Sequence, residues 1–434
     1  MPTARVGLLV YGVGGPGLAQ RATLAQVLPG LPAAIQYRFD VAAVEPAGVG
    51  PDGEPGVLTC AAADLEGWLG VDLHGADRGA RAAVHAAANR LVQRCVQPQL
   101  ALARRMSTAD AVAGVEALRQ QAGGQVTYLG MSYDSLTGYA YAQRYPDNLR
   151  ALVLDSGLDP ALTGPQLLRQ RAAAVEAALG RFSAVCRATR CLGRLSVPDA
   201  IARLRATAAT PSALVAPSTP ASTGRRAAGL SRRQLDEALL GGLVDERNGW
   251  ADLRNGLRIA LAGDGDLLRQ VADSYQARGE DGAPTSQAVQ AAAYLCRDRA
   301  WPRTPAELDR LADDVAATAP VLGRAVVNGA ALCTTWPVPP RPLPVTPATN
   351  SPPTGPRRSG PAVLVLSVDR DPVTPPSWSR RLAAAFTPAA PVVTVPGGWH
   401  TALPNARNPC AAATVETFLD DPATATRSTT CAKP

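Results

Sequence analysis

A hydroxyl that attacks, an imidazole that takes its proton and a carboxylate that fixes the imidazole tautomer together make acyl-transfer chemistry. With three histidines in the chain, the imidazole is quickly sought. His74 and His85 stand in a polar, helix-forming stretch and read as surface or packing residues. His400 closes Gly397-Gly-Trp-His400, just past an apolar run, where a loop presents it. The serine is Ser132, in Tyr128-Leu-Gly-Met-Ser-Tyr133. The carboxylate is Asp371, which opens Asp371-Pro-Val-Thr-Pro375, a turn stiffened by two prolines. Asp369, two residues earlier, is the alternative.

These residues need elements to hold them. Val126 to Leu129 is an apolar run of strand type, Gly130 breaks it, and from Leu136 the spacing becomes helical. A strand that feeds a helix through a tight turn with serine at its tip is a nucleophile elbow, the device of α/β-hydrolases. That turn wants small residues two before and two after the serine; Gly130 satisfies the first place, and Asp134 departs from the second. An oxyanion needs backbone N–H donors. One is the residue after the nucleophile, Tyr133. The other belongs to Gly14-Gly-Pro-Gly17, which follows the first strand; Pro16 has no N–H, so Gly15 or a neighbouring glycine donates. The order Ser132, Asp371, His400 is the order of the same fold.

The remaining chain fits a mostly parallel sheet. Strands are expected at Arg5–Val13, Asp40–Pro46, Val126–Leu129, Arg150–Gly157, Ala362–Asp369 and Pro391–Gly398, with helices between them, one over Thr108–Arg119, and a last helix at Ala411–Leu419. From about 158 to 360 the alternation stops and the pattern is helical, with Pro/Thr/Ser-rich breaks at 209–224 and 337–359. This is too long for a loop. The expectation is three segments: a core part at 1–157, a helical cap or lid at 158–360, and a second core part at 361–434.

Composition narrows the function. At 434 residues, 46% hydrophobic and 18% charged, the chain is globular. No apolar run is long enough to span a membrane. The net charge of +7 rests on scattered arginines, with Lys433 the one lysine and no basic stripe, which speaks against nucleic acid. The eight cysteines lack Cys-x-x-Cys spacing, so structural disulfides in an oxidising compartment are read before a metal site, and no cofactor is expected. Cys186 and Cys191 are close neighbours, as are Cys410 and Cys431; Cys60 with Cys95 and Cys296 with Cys333 would close longer loops, although eight cysteines allow 105 pairings. Arg5 before a short apolar run imitates an export signal, but a glycine-rich turn follows in place of a cleavage site.

The chain resembles the secreted actinobacterial tripeptidyl aminopeptidase group of α/β-hydrolases, relatives of proline iminopeptidase. Carrying the resemblance are Gly14-Gly-Pro-Gly17, Tyr37-Arg-Phe-Asp-Val41, Tyr128 to Tyr133, Leu152-Val-Leu-Asp155 with Asp159-Pro160, Cys333 with Trp336-Pro337, Asp371 to Pro375, Gly397 to His400 and the C-terminal cysteines. It implies a nucleophile at Ser132, an acid at Asp371 and a base at His400, acting on short peptides with a free N-terminus outside the cell or in its envelope. It also implies a cap that shapes the pocket, where acidic groups such as Asp245 and Glu246 would hold the substrate's α-amino group. Departures from the family pattern are Asp134 for glycine, Ala47 for arginine and Glu45 for aspartate. Family members also carry a signal and leading strands before the glycine-rich loop, which here begins at residue 14. Either the start lies upstream of Met1, or those strands are absent and a sheet edge is bared. Three readings follow: an aminopeptidase, an esterase or lipase with the same triad acting on a small acyl substrate, and a silent relative whose elbow Asp134 has impaired. The oligomeric state stays open.

Overall fold

The structure, a computed structural model, describes residues 5–209, 214, 229–279, 281–345, 348–349, 361–403, 408–424 and 427–433. Runs of Val and Leu that alternate with helices have one economical solution, a parallel sheet covered on both faces. Seven strands form it: β1 (Gly7–Gly12), β2 (Phe39–Ala42), β3 (Val126–Met131), β4 (Leu149–Asp155), β6 (Ala362–Val368), β8 (Val392–Val395) and β9 (Thr429–Thr430). Their order is β2-β1-β3-β4-β6-β8-β9, every pair parallel. β5 (Ala348–Thr349) and β7 (Phe386–Thr387) make a separate two-residue pair. With helices on both faces and a serine turn at the end of central β3, this is the α/β-hydrolase fold.

Alternate residues of each strand enter different cores. Leu9, Leu129, Val153 and Leu364 face one side, against Phe418 and Val415 of the C-terminal helix (Pro409–Asp420). Val10, Tyr128, Leu152 and Val365 face the other, against the helix that follows Ser132 (Asp134–Arg144) and much of the helical chain between β4 and β6. That helical chain also has a core of its own, built on Phe182, Leu235, Leu239, Leu253 and Leu257.

The expected strands are present, with β2 shorter than Asp40–Pro46 and β9 added beyond the final helix. Described residues from 158 to 345 are mostly helical, beginning with the long helix Gly164–Thr189; most of the breaks at 209–224 and 337–359 fall outside the described residues. The four disulfides join Cys60–Cys95, Cys186–Cys191, Cys296–Cys333 and Cys410–Cys431. Among the described residues no helix is long and apolar enough to cross a membrane.

Candidate active site

β3 delivers Ser132 in the left-handed region, at φ 51°. A non-glycine residue holds that conformation only where its surroundings force it. Here Ser132 N–H donates to Asp155 O (2.8 Å), and Ser135 N–H donates back to Ser132 O (3.1 Å). Gly130 has to be glycine, because a Cβ there would lie 2.5 Å from Asp134 O.

The loop after β6 delivers Asp371, and the loop after β8 delivers His400. The ring Nδ1 of His400 lies 2.8 Å from Asp371 Oδ2. Asp371 has no exposed side-chain surface and is saturated with donors. Its Oδ1 accepts from Val373 N–H (2.8 Å) and Thr374 N–H (2.9 Å), and its Oδ2 from the Thr374 hydroxyl (2.9 Å). Asp369 is engaged elsewhere, accepting from Gly397 N–H at 2.7 Å. The chain just past His400 is tied down in turn: buried Asp155 accepts from Ala402 N–H and Leu403 N–H, each at 2.8 Å to one oxygen. Burial pushes the Asp155 carboxyl up to about 6, against the pull of those N–H groups.

Ser132 opens into a cavity of about 290 Å³, at the small end of ligand pockets, shared with Gly15, Tyr133 and Thr374. The structure therefore pairs His400 with Asp371, and sets Ser132, Tyr133 and Gly15 around one cavity beside Thr374. Gly14 is excluded as an oxyanion donor, since its N–H donates to Asp134 Oδ2 (2.9 Å). The Tyr133 hydroxyl donates to Asp298 Oδ2 (2.6 Å), which fixes the side chain of the residue after Ser132.

Two expectations change. Asp134 does not collide with the sheet, because Gly12 opposite it has no Cβ; one there would stand 2.6 Å from Asp134 Cβ. Asp245 and Glu246 are not in the cavity. Glu246 accepts from Gly398 N–H (2.9 Å) and pairs with Arg370 (3.0 Å), Asp245 bridges to Trp399, and Val244 O receives His400 N–H (3.1 Å). They fasten the helical chain to the histidine loop. In their place the helix Arg232–Gly242 turns Arg233, Asp236 and Glu237 into the cavity. Asp236 is 1% exposed and Glu237 5%. Each is bonded through one oxygen to an arginine, Asp236 to Arg205 and Glu237 to Arg233. Asp236 Oδ2, Glu237 Oε2 and Arg233 Nη1 have no hydrogen-bond partner among the described residues. Burial raises both carboxyls, that of Asp236 to about 6.

The other histidines stand apart from this site. His85 Nε2 lies 2.9 Å from Asp309 Oδ1, and the half-buried His74 is pushed down to about 4, chiefly by burial. Thr374 and Asp155 were missed as site residues although both lie in stretches that the family resemblance had marked. The Ala47 and Glu45 departures are absorbed: Ala47 O accepts from the Tyr294 hydroxyl (2.9 Å), and Glu45 accepts from Gln20 N–H (2.7 Å) and Arg21 N–H (3.2 Å) at a helix start.

Residues 319–431 match the family model described as TAP-like protein. The chain is 27% identical over 384 residues to serine protease Hip1 of Mycobacterium tuberculosis, covering 86% of this chain and 71% of that one. It is 29% identical over 428 residues to carboxylesterase B of the same organism, covering 96% and 78%. The overlap with the crystal structure of proline iminopeptidase from Mycobacterium smegmatis is slight, with a TM-score of 0.37 and 13% identity over 96% of this chain and 92% of that one. The chain is thus similar to TAP-like proteins over its C-terminal part and to these two relatives over most of its length.

Proposed function

We propose that this TAP-like α/β-hydrolase is a serine hydrolase that releases short peptides from substrate N-termini. Ser132 attacks the scissile carbonyl while His400 Nε2 takes the hydroxyl proton and Asp371 holds Nδ1–H. The N–H groups of Tyr133 and Gly15 receive the oxyanion. His400 returns the proton to the leaving amine, and water then releases the acyl group from Ser132. The described helices from Gly164–Thr189 to Ala331–Thr334 serve as the cap, and their inner face chooses the substrate.

The observation that carries the peptide reading is the unpartnered set on the helix Arg232–Gly242. A buried carboxylate oxygen without a donor is costly. An α-ammonium brings three donors and the opposite charge to Asp236 Oδ2 and Glu237 Oε2, and a peptide carbonyl suits Arg233 Nη1. A simple acyl chain satisfies none of them. The apolar walls formed by Leu158, Leu167, Leu168 and Leu295 favour the second reading, an esterase on a small acyl group. The four disulfides support a place outside the cell or in its envelope.

The test is fluorophosphonate labelling of the wild type and of Ser132→Ala, followed by turnover of one fluorogenic peptide with a free or an acetylated N-terminus. Labelling lost in Ser132→Ala and preference for the free N-terminus are expected. Folded, disulfide-intact wild type that takes no label would overturn the mechanism; equal turnover of both peptides, or turnover of esters alone, would overturn the aminopeptidase assignment.

A further inference from the structure

Asp134 is the residue that the elbow pattern disfavours. It is 8% exposed and opens the helix that follows the nucleophile. Its carboxylate binds in two directions: Oδ2 accepts from Gly14 N–H at 2.9 Å, and Oδ1 accepts from the Thr137 hydroxyl at 3.2 Å. Gln20 holds the same loop from its other side, donating through Nε2 to Gly14 O (3.2 Å) and accepting from Val13 N–H (2.9 Å). Both polar groups of the Gly14 residue are thereby bound. The loop passes so close to the nucleophile that a Cβ on Gly14 would come within 3.1 Å of Ser132 Cβ. The room for this arrangement is specific, since a side chain on Gly12 would strike Asp134 Cβ and the Tyr128 hydroxyl at 2.6 Å.

We propose that Asp134 is a positioning residue: its carboxylate anchors the oxyanion loop to the nucleophile helix through Gly14 N–H, so that the next donor, Gly15 N–H, is set toward Ser132. The proposal rests on the serine-hydrolase reading. Gly14 turned inward leaves Gly15 as the loop's donor, because Pro16 has none. A carboxylate acceptor binds an N–H about twice as strongly as a neutral one. The positive end of the helix Asp134–Arg144 adds to its stabilisation. The titratable groups that feel it are Tyr128, Tyr294 and Glu45, and Arg21 is spent on Glu45. With burial dominant and Glu45 adding repulsion, the Asp134 carboxyl is pushed up to about 6, so the anchor carries its charge above that pH and loses it below.

The test compares Asp134→Gly, which restores the small residue, with Asp134→Asn, which keeps an acceptor without charge. Three readouts are taken: steady-state kinetics on a fluorogenic peptide, the rate of fluorophosphonate labelling, and hydrogen–deuterium exchange of a peptide spanning 13–17. For Asp134→Gly we expect kcat and the labelling rate to fall about 10- to 100-fold with KM within about twofold, below the full loss of an oxyanion donor, about 10²–10³. Exchange at 13–17 should quicken while the melting temperature stays within a few degrees. For Asp134→Asn we expect kcat within about fivefold of wild type at pH 7.5, and a variant-to-wild-type ratio that rises as pH drops from 7 to 5. Unchanged or higher kcat in Asp134→Gly, unchanged exchange at 13–17, or a flat ratio for Asp134→Asn would each overturn the proposal. Because exchange is read without turnover, failure of the anchor is told apart from failure of the serine-hydrolase reading, which appears as wild type that takes no label.

Discussion

The molecule holds buried acids in two contrasting ways. At the ends of the strands, Asp371, Asp155 and Asp134 have both carboxylate oxygens occupied by donors from the protein itself. On the helix above them, Asp236 and Glu237 each have one oxygen bonded and one without a partner among the described residues. A saturated carboxylate is a structural part whose work is to fix its neighbours. A half-satisfied one in a cavity carries a penalty that a ligand relieves. In the proposed function the lower set holds the geometry of the triad, and the upper set selects what enters the cavity.

Substitutions sharpen or break that contrast, and the largest effect should come from the saturated set. Asp371→Asn should lower kcat by about 10⁴-fold with little change in KM, since the amide no longer selects the productive imidazole tautomer. A large rise in KM instead would move Asp371 into the selecting set. Next, Glu237→Gln with Asp236→Asn should cut kcat/KM for free-N-terminus peptides by about 10- to 100-fold, the worth of one charge-assisted hydrogen bond at about 1.5–3 kcal/mol. Acetylated peptides and small esters should keep their rates. Equal loss on every substrate would erase the distinction between the two sets.

A pH series tests the same division without mutation. Asp236, raised to about 6 by burial, is charged above that pH and neutral below it. As pH falls from 7 to 5, kcat/KM for a peptide should therefore drop relative to kcat/KM for a neutral ester, and a constant ratio would remove Asp236 from recognition. The smallest effect is expected at Glu246→Ala, which removes a partly exposed bridge from Gly398 N–H to Arg370. A fall in kcat of a few-fold is the scale for such a group, read by steady-state kinetics with KM unchanged.

Of the lower set, Asp371 was legible in the sequence, as were the strands that carry all three acids. β3, β4 and β6 are buried from end to end almost without a break, so their apolar runs announce themselves. A histidine count of three left His400 as the one candidate that follows Ser132. The upper set was not legible, because an acid on a helix usually faces water. Asp236 and Glu237 look no different in sequence from Asp245 and Glu246, and tertiary packing alone sends the first pair into the cavity and the second onto the histidine loop. β7 and β9, at two residues each, are too short to show a period. Asp134 was misjudged for a related reason: the room it needs comes from Gly12, more than a hundred residues earlier in the chain.

The described helices between β4 and β6 touch the candidate catalytic parts at several points. The helix Gln287–Asp298 presses so close on the glycine-rich loop that a Cβ on Gly17 would lie 2.6 Å from Ala291 N, and the same helix holds the Tyr133 hydroxyl through Asp298. The Val244 carbonyl seats His400 N–H. Such a segment is not an interchangeable module. Grafting a foreign insert between β4 and β6 would strip the donor loop, the residue after the nucleophile and the histidine of their supports at once. On the proposed function, new specificity would come from changes of side chain on the cavity wall, while the backbone of the insert answers to the same geometric constraint as the triad itself.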